Sequence, residues 1–130
     1  MRTASAQVSP LGFDRLYGLE VLELGQRRAR AKVRVHDQLK DGRGRVHAGI
    51  YGVAAESLVT LATARALEPE GKVATPLSIQ TSVMGPSAEG SINAVADLRH
   101  RGRTTWVWEV EVSDDRGTLC AFCRVTVAVR

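Results

Sequence analysis

Residues 48–64 read AGIYGVAAESLVTLATA between His47 and Arg65, and Glu56 is the one charge in the run. The run lacks proline, and Glu68-Pro69-Glu70-Gly71 stops it, so the sequence predicts a helix over about residues 48–67. A surface helix normally carries a polar face. This one is apolar or small on all sides, which demands a wrapping of sheet or of a second subunit.

Outward from that helix the periodicity changes from 3.6 to 2. Before it, Ala29, Ala31, Val33 and Val35 alternate with Arg30, Lys32, Arg34 and His36, the pattern of a half-buried strand with a basic, solvated face. Residues 18–25 break strict alternation at Leu19, Val21 and Leu22, as a twisted or bulged strand does. Residues 37–46 read as a loop rich in Gly and Arg. After the helix, strand patterns cover about residues 77–84, 91–98, 106–112 and 119–129. Asp114-Asp115-Arg116-Gly117 forms a hairpin turn. Short turns between the last strands make them antiparallel neighbours. The fold class is therefore α+β, one long helix packed on about six strands.

The chain has 130 residues, 44% hydrophobic and 25% charged, which fits a single domain over 1–130 with its own core. Residues 1–16 read as a tail with a short helical turn. Two cysteines and three histidines are too few for a disulfide scaffold or a multi-ligand zinc module. No apolar run reaches the ~18 residues of a membrane span. The first residues have no apolar signal segment, so the expected compartment is the cytoplasm, with both thiols reduced. The net charge of +4 permits an anionic partner without choosing one. The basic strand lacks the interleaved aromatics of a nucleic-acid platform, so neither nucleic acid nor membrane is expected as a partner.

Three features carry candidate chemistry. Glu56 is a carboxylate in an apolar helix, and Gly52, Val53, Val59 and Thr60, its helical neighbours, offer no cation. Thr60 offers a hydroxyl one turn along. Glu56 either points to a wet edge or a distant arginine, or it is a partly buried carboxylate in a site. The helix start, with His47, Ala48 and Gly49 behind Gly42 and Gly44, presents unpaired N–H groups at the positive end of the helix dipole, a place for an oxyanion or a polarised carbonyl. His47 there either caps the structure or joins the site. Third, Arg99-His100-Arg101-Gly102-Arg103 with Thr104 and Thr105 is either a solvated turn or a phosphate site. Cys120 and Cys123 form a CxxC whose odd offset places the thiols on opposite strand faces, which argues against metal or redox use.

The run Gly44-Arg45-Val46-His47-Ala48-Gly49, then Ala55-Glu56 and Thr60, resembles the G-x-x-H-G-G … A-E-x-x-x-T core of hotdog-fold acyl-CoA thioesterases. It looks most like the Arthrobacter-type 4-hydroxybenzoyl-CoA thioesterases of the phenylacetate-degradation branch. Thr104-Thr105-Trp106-Val107-Trp108-Glu109 and Leu119-Cys120-Ala121 resemble the C-terminal strands of that family, so the likeness spans about residues 30–130. The resemblance implies a helix wrapped by an antiparallel sheet. It also implies homodimers joined through their sheets and paired into homotetramers, with active sites between subunits. In that pattern Glu56 attacks the thioester carbonyl or activates water, the Ala48 N–H polarises the carbonyl, and Thr60 positions water or the glutamate. Arg103 and Thr104 fall where the family contacts CoA phosphate, with Arg101 and Thr105 beside them. No cofactor is implied beyond the CoA of the substrate, whose acyl group is aromatic or medium-sized.

Asp41 departs from the pattern, since the family has Gln or Asn there. Two carboxylates near one site do not both ionise cheaply. A protonated Asp41 donates to the carbonyl or the leaving sulfur; an ionised one repels the oxyanion. The loop is then arranged differently, the pH profile is shifted, or activity is reduced. Two other readings belong to the same fold: an inert acyl-CoA-binding subunit, and a hydroxyacyl dehydratase. The dehydratase loop is usually Pro-rich and longer, whereas here His47 and Glu56 have no proline between them.

Overall fold

The computed structural model describes residues 12–130; the part of the expected tail before Gly12 lies outside the described residues. The elements run α1 (Phe13–Tyr17), β1 (Leu19–Leu24), β2 (Arg28–Arg34), α2 (Ala48–Leu67), β3 (Ala74–Val83), β4 (Ser91–Arg101), β5 (Thr105–Ser113) and β6 (Leu119–Val129). The six strands form one sheet in the order β1-β2-β4-β5-β6-β3, every pairing antiparallel. Because β3 and β4 are not neighbours, the chain crosses from one edge to the middle of the sheet after β3. The curved sheet holds α2, about 30 Å long, against its concave face.

The alternation read from the sequence is what buries the core. Trp106, Trp108, Val110 and Val112 of β5, with Ile92, Ala94, Ala96 and Leu98 of β4, all face inward at 5% exposure or less. The expected irregularity in β1 is a bulge: the register with β2 slips between Val21 and Glu23, which leaves Leu22 exposed. Strand β3 begins before the expected residue 77, at Ala74, and carries Pro76. An edge strand tolerates that proline, since the missing donor costs no ladder bond. Strand β4 runs on past the expected residue 98, so Arg99, His100 and Arg101 belong to the strand and the turn proper is shorter.

A second correction concerns the cysteines. Both are free and buried rather than split between faces. Val112 pairs with Ala121 and Ser113 with Leu119, so Cys120 is the extra residue of a bulge and turns inward beside its neighbours.

The helix is buried on one side only. Tyr51, Ala54, Ala55, Leu58, Val59, Ala62, Thr63, Ala66 and Leu67 pack on the sheet. Opposite them a half-buried stripe runs through Gly52, Val53, Glu56, Ser57, Thr60, Leu61, Ala64 and Arg65. The short α1 touches part of it: Ser57 Oγ donates to Asp14 Oδ1 at 2.5 Å, and Tyr17 OH to the Val53 carbonyl at 3.5 Å. Edge strand β3 borders the other margin, where a Cβ at Gly52 would come within 2.9 Å of Thr81 Oγ1. That edge is long and apolar, with Leu77, Ile79, Val83 and the following Met84 all exposed.

One polar contact ties helix to sheet through the core. Trp108 Nε1 donates to Thr63 Oγ1 at 3.0 Å, and Thr63 donates in turn to the Val59 carbonyl at 2.8 Å. Trp108→Phe removes the donor and leaves a void, and should cost about 2 kcal/mol. Urea unfolding at fixed protein concentration checks this: the midpoint falls and the slope stays constant.

Candidate active site

The start of α2 is built by its preceding loop. Lys40 bridges to Val46, His47 N–H donates to the Leu39 carbonyl at 2.8 Å, and Val46 N–H to the Ser87 carbonyl at 2.7 Å. Between them Gly44 takes φ +79°, a left-handed turn that favours glycine. His47 then caps the helix. Its backbone is extended and its Nδ1 accepts the Gly49 N–H at 2.9 Å. This side chain therefore holds the helix start, and the Gly49 donor is engaged. Among the described residues Ala48 N–H has no hydrogen-bond partner, and residues 47–49 are exposed. Ala48 has no positive φ, so alanine stands in for glycine there without strain.

Asp41 faces the same loop. Its Oδ1 accepts from Arg43 N–H at 2.8 Å and Arg45 N–H at 3.1 Å, with the Arg45 guanidinium 3.8 Å from Oδ2. These backbone donors, first Arg43 and then Arg45, hold the carboxyl below the usual aspartate range. Of the alternatives the sequence left open, these contacts favour the ionised form. The residue staples the loop, its carboxylate met by amides and by Arg45.

Glu56 and Thr60 lie on the half-buried stripe, one turn apart. Among the described residues Glu56 makes neither ion pair nor hydrogen bond, and Thr60 Oγ1 is buried without a partner. The carboxylate is thus half-buried, and among the described residues no arginine bridges it. Glu56 comes eight residues after Ala48, about 12 Å along the axis. Within one chain, no single carbonyl contacts both.

The basic turn sits at the other end of the helix, with Leu67, about 28 Å from Ala48. Arg99 does not serve as a free donor, because Glu109 binds it at 2.6 Å and takes Arg124 at 3.0 Å on its other oxygen. Arg101 stacks 4.4 Å over the Trp106 ring and lies 3.8 Å from Glu70. Arg103 and Thr104 are exposed and Thr105 is half-buried. Arg101, Arg103, Lys72 and Glu70 rim a cleft of about 250 Å³.

One feature lies outside the sequence reading. A cleft of about 140 Å³ opens beside Ala48, walled by Asp41, Arg45, Tyr51, Val83 and Met84. The signal for it was a lone tyrosine, Tyr51, in the first turns of a helix otherwise made of small and aliphatic residues.

The Asp41 staple has a pH signature. A depressed carboxyl stabilises the fold fully above its ordinary value near 4, and that contribution is lost as pH falls through the lower folded value. The melting-temperature gap between the wild type and Asp41→Ala should therefore stay constant from neutral pH down to about 4, then narrow.

The family model described as the thioesterase superfamily matches residues 43–121, which take in the helix start, Glu56, Thr60 and the basic turn. A 1,4-dihydroxy-2-naphthoyl-CoA hydrolase of Escherichia coli strain K12 is 31% identical over 106 residues, covering 82% of this chain and 77% of that protein. One of the same name from Listeria monocytogenes is 26% identical over 120 residues, covering 92% and 97%. Among solved structures, a thioesterase from Haemophilus influenzae superposes with a TM-score of 0.85 at 27% identity, over 90% of this chain and 81% of that one. The chain belongs to the thioesterase superfamily, an enzyme of thioester hydrolysis built on the hotdog fold.

Proposed function

We propose that this protein hydrolyses an acyl-CoA with an aromatic or medium-sized acyl group, using Glu56 of one chain and the Ala48 N–H of a second copy. The observation that carries this reading is the unpaired, half-buried Glu56 beside an open sheet edge. A carboxylate so placed wants either a cation or a substrate, and the described residues supply no cation. Relatives named 1,4-dihydroxy-2-naphthoyl-CoA hydrolase support the aromatic class. The nearer kinship with the 4-hydroxybenzoyl-CoA thioesterases of the phenylacetate-degradation branch rests on the sequence motifs alone.

The second copy follows from two features. Strand β3 leaves a row of unpaired backbone groups and exposed Leu77, Ile79 and Val83 at its edge. Antiparallel pairing of two β3 edges covers these side chains and lays two α2 helices side by side. Glu56 then faces the partner across the axis, which overcomes the 12 Å offset within each chain. Pairing of two such dimers gives a tetramer.

In the reaction the thioester carbonyl oxygen accepts from the Ala48 N–H, at the positive end of α2. The Glu56 carboxylate either removes a proton from the attacking water or attacks the carbonyl carbon itself, giving a mixed anhydride that water then opens. Thr60 holds the water or the carboxylate. The carbon–sulfur bond breaks as the tetrahedral adduct collapses, which on the anhydride route precedes the entry of water; the thiolate takes up the proton that the water gives, and acid and CoA leave. Arg101, Arg103, Thr104 and Thr105 bind the CoA phosphates, with Arg103 supplying charge in place of a hydroxyl. His47 and Gly49 support the Ala48 donor through the cap.

Glu56→Gln should lower turnover of benzoyl-CoA by about 10²–10⁴-fold, read with a thiol reagent, with the melting temperature preserved. Unchanged turnover defeats the reading. Ala48→Pro removes the N–H while proline fits the first helical position. It should lower turnover by about 10²-fold or more. Mixing the two variants and reassembling the oligomer should restore activity, because one site in each mixed dimer keeps both groups. A site within one chain gives no rescue. Ile79→Asp at the β3 edge should yield a monomer by sedimentation and abolish turnover.

A further inference from the structure

We infer that Arg45 is a second donor to the thioester oxygen, its guanidinium set against the charge that grows beside the Ala48 N–H, and that Asp41 positions it. Arg45, Asp41 and Ala48 line one cleft, whose other walls are apolar at Val83, Met84 and Pro86. The loop does not need the Arg45 side chain. Its backbone holds the turn by itself, the N–H donating to Asp41 Oδ1 and the carbonyl accepting from Asp41 N–H at 2.6 Å. The side chain is 40% exposed, and its approach to Asp41 Oδ2 is 3.8 Å, too long for a hydrogen bond. A guanidinium carries five N–H donors. Nε is buried without a partner among the described residues, so the terminal nitrogens are the donors that a ligand reaches.

What those donors fit is decided by the charge around them. The amides of Arg43 and then Arg45 take Asp41 Oδ1 and hold the carboxyl below the ordinary aspartate range, while Oδ2 turns to the guanidinium. An ionised carboxylate alone at the helix start opposes negative charge on a substrate oxygen. Paired with Arg45, it leaves the lining neutral in sum and fixes which way the fork points. A phosphate dianion is poorly matched by one arginine with a carboxylate at its side. A single oxygen with a developing charge is matched, because the donors already stand in a largely apolar cleft. As the nucleophile bonds to the carbonyl carbon, the π pair moves onto that oxygen. The guanidinium stays protonated and only donates, and the pair returns when the carbon–sulfur bond breaks.

This inference rests on the hydrolytic reading, and its test separates the two. Hydrolysis of benzoyl-CoA is measured for the wild type, Arg45→Ala and Arg45→Lys. Arg45→Ala should lower kcat by about 10²-fold with KM little changed. Arg45→Lys should recover part of that loss, and millimolar guanidinium ion should raise the kcat of Arg45→Ala while leaving the wild type unchanged. An unchanged kcat in Arg45→Ala overturns the inference. So does a rise in KM with kcat kept, which makes Arg45 a binder of the ground state. A fall in kcat that neither lysine nor guanidinium ion relieves also overturns it, because the charge is then not what was lost. Binding is followed separately with phenacyl-CoA, a thioether that is not hydrolysed and whose ketone is labelled with carbon-13. That resonance should move downfield on binding to the wild type, and less on binding to Arg45→Ala. If the wild type hydrolyses no acyl-CoA, the hydrolytic reading fails, and the ketone resonance still decides the role of Arg45: equal shifts in the two proteins, or none in the wild type, overturn it.

Discussion

The structure depends on a helix that the described residues of its own chain cover on one side only. Nine residues of α2 pack on the sheet, and the opposite stripe stays half-buried. Hydrophobic burial at roughly 25 cal/mol per Å² rewards any arrangement that closes the remaining face. Among the described residues little serves that purpose, since α1 touches the Val53 and Ser57 margin. Everything distinctive follows from that shortage. Among the described residues the β3 edge is left open beside the stripe, and Glu56 is left without a cation.

The positive charge of the chain is placed for a different purpose. On the outer face of the sheet, Arg28 meets Asp97 and Arg30 meets Glu23 at 2.9 Å each, while Glu109 is held by both Arg99 and Arg124. Asp97 and Glu109 stand directly opposite one another, a like-charge pair that the flanking arginines relieve. These contacts are solvent-exposed and contribute little each. They keep the back of the sheet wet and specific in register. Of the basic stripe of β2, Arg30 is accounted for in this way by Glu23.

Much of this was legible in the sequence, because period-2 and period-3.6 patterns report burial directly. The β5 run Trp106 to Val112, the irregular β1 and the limits of α2 all stand where alternation placed them. What escaped was decided by tertiary contact. Cys120 turns inward because of a bulge that no local rule marks. Arg99 is lost to Glu109, a residue ten positions on across a hairpin. Asp41 became a loop staple because the amides of Arg43 and Arg45 converge on it, a feature of loop shape and not of composition. The unspent donors of Arg45 are likewise visible only once its surroundings are known.

The division of the candidate site along α2 is a consequence of helix geometry. Donor, carboxylate and basic turn are strung along one rod, with Ala48 at its start, Glu56 about 12 Å on and the arginines near its far end. A rigid rod cannot fold back to bring them together. In the proposed dimer two rods laid antiparallel about an axis near Gly52 would, because the start of one then lies beside Glu56 of the other. The same straightness that makes α2 a good core for the sheet therefore makes a lone chain a poor catalyst. In the assembly proposed above, closure of the apolar stripe and assembly of the reacting groups would be one event, with the free energy that joins two edges also positioning the carboxylate.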